Sequence, residues 1–348
     1  MAGSLAADVT IPVNLKAKEW IGASLIEDDG SGTIAVSSLA PRGSRVIRFD
    51  ARGKATEAGV AGISINSIQP LGGNRYFVRG GAGSGKDAHY AARIVDLATG
   101  ATSWDSSKLV NSANENAVTA VDARGEHWAA LVPASSTRFT VLFGAVSKNT
   151  TTMKYHFESQ ATFGKGPSGQ FTGGSWDLAV LDGRGADTHV AVLTPQGSVY
   201  IVSAESGTKT ILSPERGGGQ LLWEQTTRTL WVESGESWSA FPLAATVDRQ
   251  KSKSAAPASG HAALVTSFDR KSGRTASVFP LSGGRFALRT RSGGQSAVEI
   301  FSTHDAEPQI VPLSGLPAEG IVKVSRGGRA ILTLPNGPRS TAAVVKTP

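Results

Sequence analysis

The sequence predicts an all-β protein, a seven-bladed β-propeller. One observation is composition, because 41 Gly and 16 Pro among 348 residues, with Val, Ile and Thr in short runs, are typical of many short strands joined by tight turns. Another is pattern: runs of about four to eight residues alternate apolar and polar side chains and end at Gly, Ser, Asp or Pro. The third is repetition of one hairpin pattern about every 40–50 residues, the period of propeller blades. Six or eight blades are the alternatives.

The repeated hairpin is clearest in residues 44–58. Ser-Arg-Val-Ile-Arg-Phe-Asp forms an apolar strand, Ala-Arg-Gly53 turns the chain, and the chain runs back from Lys54. Gly53 is free to take the positive φ that such a turn uses. The same pattern recurs at residues 90–104, 199–212 and 298–313.

Four-strand units account for most of the chain. The first two units are predicted at 20–27, 32–39, 44–50 and 53–58, then at 64–69, 74–80, 89–96 and 101–106. The third and fourth are predicted at 116–122, 127–133, 138–146 and 152–158, then at 175–181, 188–194, 197–203 and 208–213. The fifth takes 219–225, 228–234 and 237–243, with 261–268 as the best candidate for its outer strand, and the sixth takes 275–281, 285–290, 297–302 and 308–313.

The seventh unit offers only three strands, at 320–325, 328–334 and 341–346. Residues 8–14, Asp-Val-Thr-Ile-Pro-Val-Asn, are strand-like and precede the first unit. We predict that they pair beside 341–346, so that the N-terminal strand closes the last blade and no seam is left exposed.

The chain is predicted to be a single β-propeller domain over residues 1–348, because each blade packs only on its neighbours and the fold can exceed the size of an ordinary core. Residues 1–7 are expected to be flexible or foreign to the natural chain. Residues 161–174 and 247–260 are expected to be exposed insertions, since they are rich in small and polar side chains.

Residues 96–104, Asp-Leu-Ala-Thr-Gly-Ala-Thr-Ser-Trp, resemble the Asp-x-x-Thr-Gly-x-x-x-Trp signature of the quinoprotein-like (PQQ-type) propeller repeat. In that family the Asp and Thr-Gly make the turn between the two outer strands, and the Trp packs between blades. The resemblance implies these roles for Asp96, Thr99, Gly100 and Trp104. Residues 203–211 keep only the Gly, at Gly207. The resemblance implies architecture alone, because the family includes non-catalytic scaffolds of envelope protein assembly, and its quinone enzymes often use a vicinal Cys pair.

The chain contains no Cys, which excludes disulfides, thiolate metal sites and Cys nucleophiles. No stretch reaches the roughly 18 apolar residues of a membrane span. Residues 1–9 lack the basic and long apolar regions of an intact signal peptide. We expect an exported or periplasmic protein if a signal peptide has been removed, and a cytoplasmic one otherwise.

The net charge is +7, with a pI near 9.7. An anionic ligand is therefore a possible partner, and nucleic acid a weaker candidate. The basic residues form only loose clusters, at Arg42, Arg45, Arg48, Arg52 and Lys54 and at Arg249, Lys251 and Lys253. This scatter favours solubilising surface charge over a dedicated basic face.

Residues 80–87, Gly-Gly-Ala-Gly-Ser-Gly-Lys-Asp, resemble a phosphate-binding loop, but Asp87 stands where the motif needs Ser or Thr. The segment from His89 reads as a strand, so no helix N-terminus is available for phosphate, and we predict an inter-strand loop. No pair among the six His has metal-ligand spacing. No Gly-x-Ser-x-Gly elbow stands between a strand and a helix, and catalytic residues stay unknown.

Two turns offer closely spaced carboxylates of the kind that bind calcium. Asp182-Gly-Arg-Gly-Ala-Asp187 is the better candidate, with Asp182 and Asp187 as ligands, and Glu27-Asp-Asp-Gly-Ser-Gly32 is the second. The alternative is an ordinary turn, because Asp and Gly are the commonest turn residues. No other cofactor and no cofactor-binding residue is predicted.

Trp223, Trp231 and Trp238 fall in one unit and are interpreted as packing between blades, although a glycan-binding or base-stacking surface is the alternative. The function predicted is a non-catalytic propeller that acts as a protein-binding scaffold or as a subunit of a larger assembly. The alternative is a propeller enzyme, a hydrolase or lyase, acting on a carbohydrate or anionic substrate at the channel mouth.

Overall fold

A computed structural model describes residues 8–84, 87–108, 118–133, 138–148, 150–158, 164–165, 171–172, 177–181, 189–194, 199–203, 209–212, 220–225, 227–234, 237–243, 263–267, 277–292, 295–301, 308–313, 320–335 and 341–347. The chain divides into two compact units, Met1–Ser103 with Asp269–Pro348, and Trp104–Phe268. The prediction of one domain stays a prediction. Within the described ranges, no helix has the length and apolarity to cross a bilayer.

Thirty strands run through the described residues, and most of them form four-stranded antiparallel sheets in simple chain order. The N-terminal strand is β1 (Val9–Pro12). The first blade contains β2 (Glu19–Ile26), β3 (Gly32–Leu39), β4 (Arg42–Phe49) and β5 (Ala55–Ala61). The second contains β6 (Ile63–Pro70), β7 (Arg75–Ala82), β8 (His89–Asp96) and β9 (Thr102–Asp105). The third contains β10 (Val118–Val121), β11 (His127–Pro133), β12 (Arg138–Ala145) and β13 (Thr150–Glu158).

The remaining blades repeat this order. The fourth contains β16 (Asp177–Leu181), β17 (His189–Leu193), β18 (Val199–Ser203) and β19 (Lys209–Leu212). The fifth contains β20 (Leu221–Glu224), β21 (Thr229–Ser234), β22 (Ser237–Pro242) and β23 (Ala263–Ser267). The sixth contains β24 (Ser277–Pro280), β25 (Phe286–Ser292), β26 (Gln295–Phe301) and β27 (Gln309–Pro312). The seventh contains β28 (Gly320–Val324), β29 (Ala330–Pro335) and β30 (Thr341–Lys346).

The seventh blade is completed by β1, which pairs antiparallel with β30, Val9 opposite Val344 and Pro12 opposite Thr341. The predictions of seven blades and of closure by the N-terminal strand are therefore confirmed. The predicted outer strand of the fifth blade is confirmed as β23, which pairs with β22. Closure is reinforced by Asp8, whose carboxylate accepts a hydrogen bond of 2.6 Å from the Lys346 N–H.

The core lies between sheets, because the strands alternate which face they present to each neighbour. In β4, Ile47 and Phe49 belong to a buried apolar cluster with residues of the seventh blade, such as Leu332 and Val344. Val46, one residue before Ile47, belongs to a second cluster with the second blade. A central strand of a blade is thus buried on both faces. Successive side chains point alternately into the interfaces with the two neighbouring blades, and we call each such interface a seam.

The predicted insertion at 161–174 contains a small structure that the sequence did not predict. β14 (Gly164–Lys165) and β15 (Phe171–Thr172) pair antiparallel outside the seven blades. Alternation cannot reveal strands this short, because two residues show no period. The predicted loop at 247–260 lies outside the described residues.

Candidate protein-binding rim of the first two blades

The sequence-predicted calcium ligands Asp182 and Asp187 lie outside the described residues, so that site stays a prediction. The second carboxylate turn is described and has structural partners. Asp28 Oδ1 accepts a hydrogen bond of 2.7 Å from the Gly327 N–H, and Asp29 Oδ1 accepts one of 2.8 Å from the Ser31 N–H. These carboxylates hold the turn and join the first blade to the seventh.

A third carboxylate turn, which sequence reasoning missed, lies between β10 and β11. Ligand atoms of Asp122, Glu126 and His127 all fall within 4.8 Å of one another. Both carboxylate oxygens of buried Asp122 have partners, because Oδ1 accepts the Glu126 N–H at 2.7 Å and Oδ2 lies 3.0 Å from His127 Nδ1. The arrangement caps a turn.

The turn that carries the PQQ-type resemblance has the implied geometry. Asp96 Oδ1 accepts the N–H groups of Ala98 and Thr99 at 2.8 and 3.1 Å, and Gly100 has a φ of 72°. Trp104 is buried, and its ring centroid lies 6.0 Å from that of Trp128 on the third blade. Trp104 therefore packs between blades. Trp231 is also buried, and Trp223 packs on the core shared by the fourth and fifth blades.

The phosphate-loop-like segment begins inside the sheet. Gly80 and Gly81 are residues of β7, and a strand begins at His89 as predicted. A Cβ on Gly80 would fall on the Ser64 carbonyl oxygen of β6, so this glycine permits a close approach of two strands. Gly80 therefore serves the packing of β7 against β6.

Three arginines of β4 differ in how their charge is satisfied. Arg45 is fully engaged: it lies 3.1 Å from Glu19 Oε2 and 3.0 Å from Glu57 Oε2, and it donates to the carbonyls of Val13 and Asn14 at 2.7 and 2.8 Å. Its contacts hold the segment that links β1 to β2. The loose basic cluster of the sequence thus contains a structural clamp.

Arg48 is also engaged, donating to Asn74 Oδ1 at 2.6 Å and lying over the Tyr76 ring at 5.8 Å from its centroid. Arg42 is different. Within the part of the chain that the structure describes, its guanidinium makes no hydrogen bond or ion pair, and its buried Nε has no partner. It is half-buried, and Nη1 lies 2.6 Å from the position a Cβ on Gly81 would occupy.

The seam beneath Arg42 is polar. Ser37 Oγ donates to the Ile65 carbonyl at 2.6 Å, and Ser44 Oγ donates to the Ile63 carbonyl at 2.9 Å while accepting the Ile65 N–H at 2.9 Å. Both serines are buried, and a Cβ on Gly22 would fall on the Ile65 carbonyl oxygen. Hydroxyl groups and a glycine therefore fix the first blade directly against the backbone of the second.

Tyr90 closes the edge of this seam. It lies in β8, and its hydroxyl donates to Asn66 Oδ1 in β6 at 2.6 Å. Since neighbouring strands are about 4.8 Å apart, the phenol must cross β7, where Gly81 is the register partner of Tyr90. Asn66 is at a bulge of β6 and is exposed. Arg42, which also lies against Gly81, is therefore a neighbour of Tyr90.

Two large apolar side chains of the first blade are exposed, and one of them is directly beside Arg42. Leu39 is 59% exposed and is its direct cross-strand partner in the β3–β4 hairpin. Trp20 is 37% exposed and stands opposite Ser37 of the seam. Tyr90 is 39% exposed. We use the name blade 1–2 rim for the exposed or half-buried residues along this seam, which are Trp20, Leu39, Arg42, Asn66 and Tyr90.

No protein-family model and no curated protein sequence matches this chain. Among solved structures, it is similar to the β-propeller domain of Cps50 (Swd1) from Myceliophteria thermophila, with 12% identity, a TM-score of 0.59, and 99% of this chain and 100% of that chain covered. It is similar to a chain of the mitotic checkpoint complex, with 12% identity, a TM-score of 0.55, and coverages of 99% and 92%. A prolyl endopeptidase also matches, with 12% identity, a TM-score of 0.55, and coverages of 96% and 51%. The chain has the β-propeller fold, and it spans about half of that endopeptidase.

Proposed function

We propose that this propeller is a non-catalytic scaffold that binds a protein partner through the blade 1–2 rim, as a subunit of a larger assembly. The observation that carries the proposal is the exposure of Leu39 and Tyr90 beside Arg42, with Trp20 exposed on the same face of the first blade. Trp, Tyr and Arg are the residues enriched at the energetic centres of protein interfaces.

The framework under the rim supports the proposal. Trp20 and Leu39 are on strands whose serine and glycine neighbours are fixed against the second blade, and Tyr90 is anchored through its hydroxyl. Binding to such a surface costs little backbone ordering entropy, because the strands that carry the anchors are already held in place. A propeller fold with 12% identity occurs in a chain of the mitotic checkpoint complex, which is an assembly of proteins.

The proposal extends to the architecture of the repeat, where we infer a distant, non-catalytic member of the PQQ-type repeat proteins. Support comes from a shared capping residue: Asp50 Oδ1 accepts the N–H groups of Arg52 and Lys54 in a turn one residue shorter than the one that Asp96 caps. An experimental structure of residues 203–211 tests this inference. We expect Ser203 to cap the corresponding turn, and a different turn geometry there would count against family membership.

The scaffold function is tested by isolating the chain at its native level from its own organism and identifying what accompanies it by mass spectrometry. The complex is then rebuilt from purified components, and its stoichiometry is measured by light scattering. We expect a defined complex that Trp20→Ala with Leu39→Ser weakens at least about tenfold, because truncation of an interface anchor typically costs about 2 kcal/mol or more.

Ile310→Ser is the matched control, since Ile310 is 61% exposed on the outer strand of the sixth blade. It should leave the complex unchanged. A chain that is isolated alone, or a complex that the rim variant retains at full affinity, would overturn the proposal.

A further inference from the structure

The unsatisfied charge of Arg42 carries a further inference, which rests on the proposed function. In β4, Arg45 and Arg48 are each matched to groups of the protein itself, whereas the Arg42 guanidinium has no such partner among the described residues. A half-buried cation has lost part of its hydration, and this loss is recovered when an anion pairs with it. A carboxylate or phosphate brought by a partner is the natural counterpart.

The charges around the rim favour an anion. Lys18 is exposed beside Trp20, and Arg93 is half-buried, with Nη1 bound to the Ala61 carbonyl at 2.9 Å. Glu19, which follows Lys18, is already paired with Arg45. Among the described residues of the second blade, Asp87, in the β7–β8 turn, is the exposed acid. The net charge around the rim is therefore positive, as is the net charge of the whole chain.

Leu39, the apolar neighbour of Arg42, restricts which kind of molecule can carry the anion. Leu39 and Arg42 are directly opposed across the hairpin, so their Cβ atoms stand about 5 Å apart. A ligand that pairs with the guanidinium therefore meets an exposed Leu39 within one side-chain width, and Trp20 is on the same face of the first blade. Nucleic acid offers a regular row of phosphates, which matches a stripe of cations rather than one arginine among large apolar groups.

We propose that the blade 1–2 rim binds a protein segment in which a carboxylate stands next to a large apolar side chain. The carboxylate pairs with Arg42, and the apolar side chain packs against Leu39 and Trp20, beside Tyr90. Planar pairing of guanidinium with carboxylate orients the segment, and apolar contact supplies area. A side-chain carboxylate and a free C-terminus present the same chemistry.

The experiment is selection of a phage-displayed library of random peptides on the immobilised full chain, in parallel with Arg42→Gln and Arg52→Gln. Arg52 is exposed in the β4–β5 turn, so Arg52→Gln makes the same change of charge away from the rim. We expect the wild type and Arg52→Gln to select peptides that place Asp or Glu next to Trp, Phe or Leu. Arg42→Gln should lose this selection while keeping the wild-type melting temperature.

Selected peptides are then synthesised with free and amidated C-termini, and their affinities are measured by fluorescence anisotropy. We expect Arg42→Gln to weaken binding at least about tenfold and Leu39→Ser at least about fivefold, with Arg52→Gln unchanged. Loss of binding on amidation assigns the carboxylate to the C-terminus, and retention assigns it to a side chain. Either result supports the proposal.

Four outcomes overturn it: no enrichment, enriched peptides without a carboxylate, equal binding by Arg42→Gln, or Arg42-dependent binding of a 20-nucleotide DNA probe that exceeds that of the peptides. Failure here is separable from failure of the scaffold function. A partner that binds through Trp20 and Leu39 but is insensitive to Arg42→Gln refutes the acidic segment alone. A complex insensitive to Trp20→Ala with Leu39→Ser refutes the scaffold function through this rim.

Discussion

The two seams that flank the first blade are built in different ways. The seam with the seventh blade is apolar, with Ile11, Ile34 and Leu332 fully buried in one cluster, and it is clamped at its edge by Arg45. The seam with the second blade also contains an apolar cluster. Under the rim, however, it is held by hydrogen bonds from serine hydroxyl groups to the backbone of the second blade. Apolar burial is non-directional, which suits a seam formed by distant parts of the chain. Hydrogen bonds are directional, so the second seam sets the position of the rim.

Gly22→Ala should give the largest effect, because it forces the hydroxyl seam apart. A Cβ at position 22 meets the Ile65 carbonyl, and it would also lie 2.7 Å from Ser37 Oγ. We expect a loss of at least about 3 kcal/mol in unfolding free energy, measured by urea denaturation. Gly59→Ala is the control, because nothing lies within 4 Å of its Cβ position. Equal stability of the two variants would show that the seam yields without cost.

Arg45→Met tests the role of Arg45 at the closing seam, which is the seam with the seventh blade, and Arg42→Met in the rim is the comparison. It leaves the Glu19 carboxylate and two backbone carbonyls without their donor, and the side chains of Arg45 and Glu19 are only 14% and 12% exposed. We expect a loss of about 2–3 kcal/mol in unfolding free energy. Arg42→Met in the same strand should change it by less than about 0.5 kcal/mol. If both substitutions cost the same, Arg42 is structural, and its assignment to binding fails.

Ser44→Ala probes the hydroxyl seam without adding volume. The substitution leaves the Ile65 N–H and the Ile63 carbonyl without the hydroxyl that joins them. An unsatisfied buried group costs about 1–3 kcal/mol, and we expect a loss near 1–2 kcal/mol in urea denaturation. Ser84→Ala, at an exposed position of the β7–β8 turn, should be neutral. A neutral Ser44→Ala would mean that the seam is held by its apolar cluster alone.

Acid should weaken the closing seam more than the hydroxyl seam. Burial acts to raise the pKa of Glu19, but hydrogen bonds from Arg45 and from the Lys16 N–H outweigh it, so the pKa lies below its ordinary value of 4.5. The folded pKa is lower than the unfolded one. The carboxylate therefore contributes stability above the unfolded value, which is lost as the pH falls through the folded value.

Melting temperatures of the wild type and Glu19→Gln, measured from about pH 7 to pH 3, test this dependence. Glu19→Gln should be less stable by about 1 kcal/mol near neutrality, and the two curves should converge in acid. A gap that stays constant over this range would show that the charge of Glu19 does not stabilise the closure.

Much of the fold could be predicted from the sequence, because alternation and turn residues act locally. The strand ends fall within a few residues of those predicted, and β1 was found from a short apolar run that had no place in the first unit. Arg42 could not be singled out. Nothing in the sequence distinguishes it from Arg45, because the groups that pair with Arg45 lie far from it along the chain, on β2, on β5 and in the segment after β1. Whether a charge is satisfied depends on such distant groups.

The turn cluster at Asp122 was missed for a related reason. Asp122, Glu126 and His127 read as separate turn and strand residues, and only the folded turn brings their ligand atoms together. By contrast, the roles implied for Asp96 and Trp104 hold, because a turn and the alternation after it are set by consecutive residues.

The pairing of β1 with β30 also determines when the seventh blade can form during synthesis. Asp8 and Lys346, which meet in the finished blade, are 338 positions apart in the chain. During translation, β1 emerges first and has no sheet to join until the last strand leaves the ribosome, so its backbone groups stay open to other partners throughout synthesis. A circularly permuted chain, with Thr347 linked to Asp8 and new ends in the β7–β8 turn, would turn this long wait into a local hairpin. The longest wait would then fall in the second blade, whose β8 would emerge first and pair with β7 last, so such a chain should form its seventh blade during synthesis and its second blade after release.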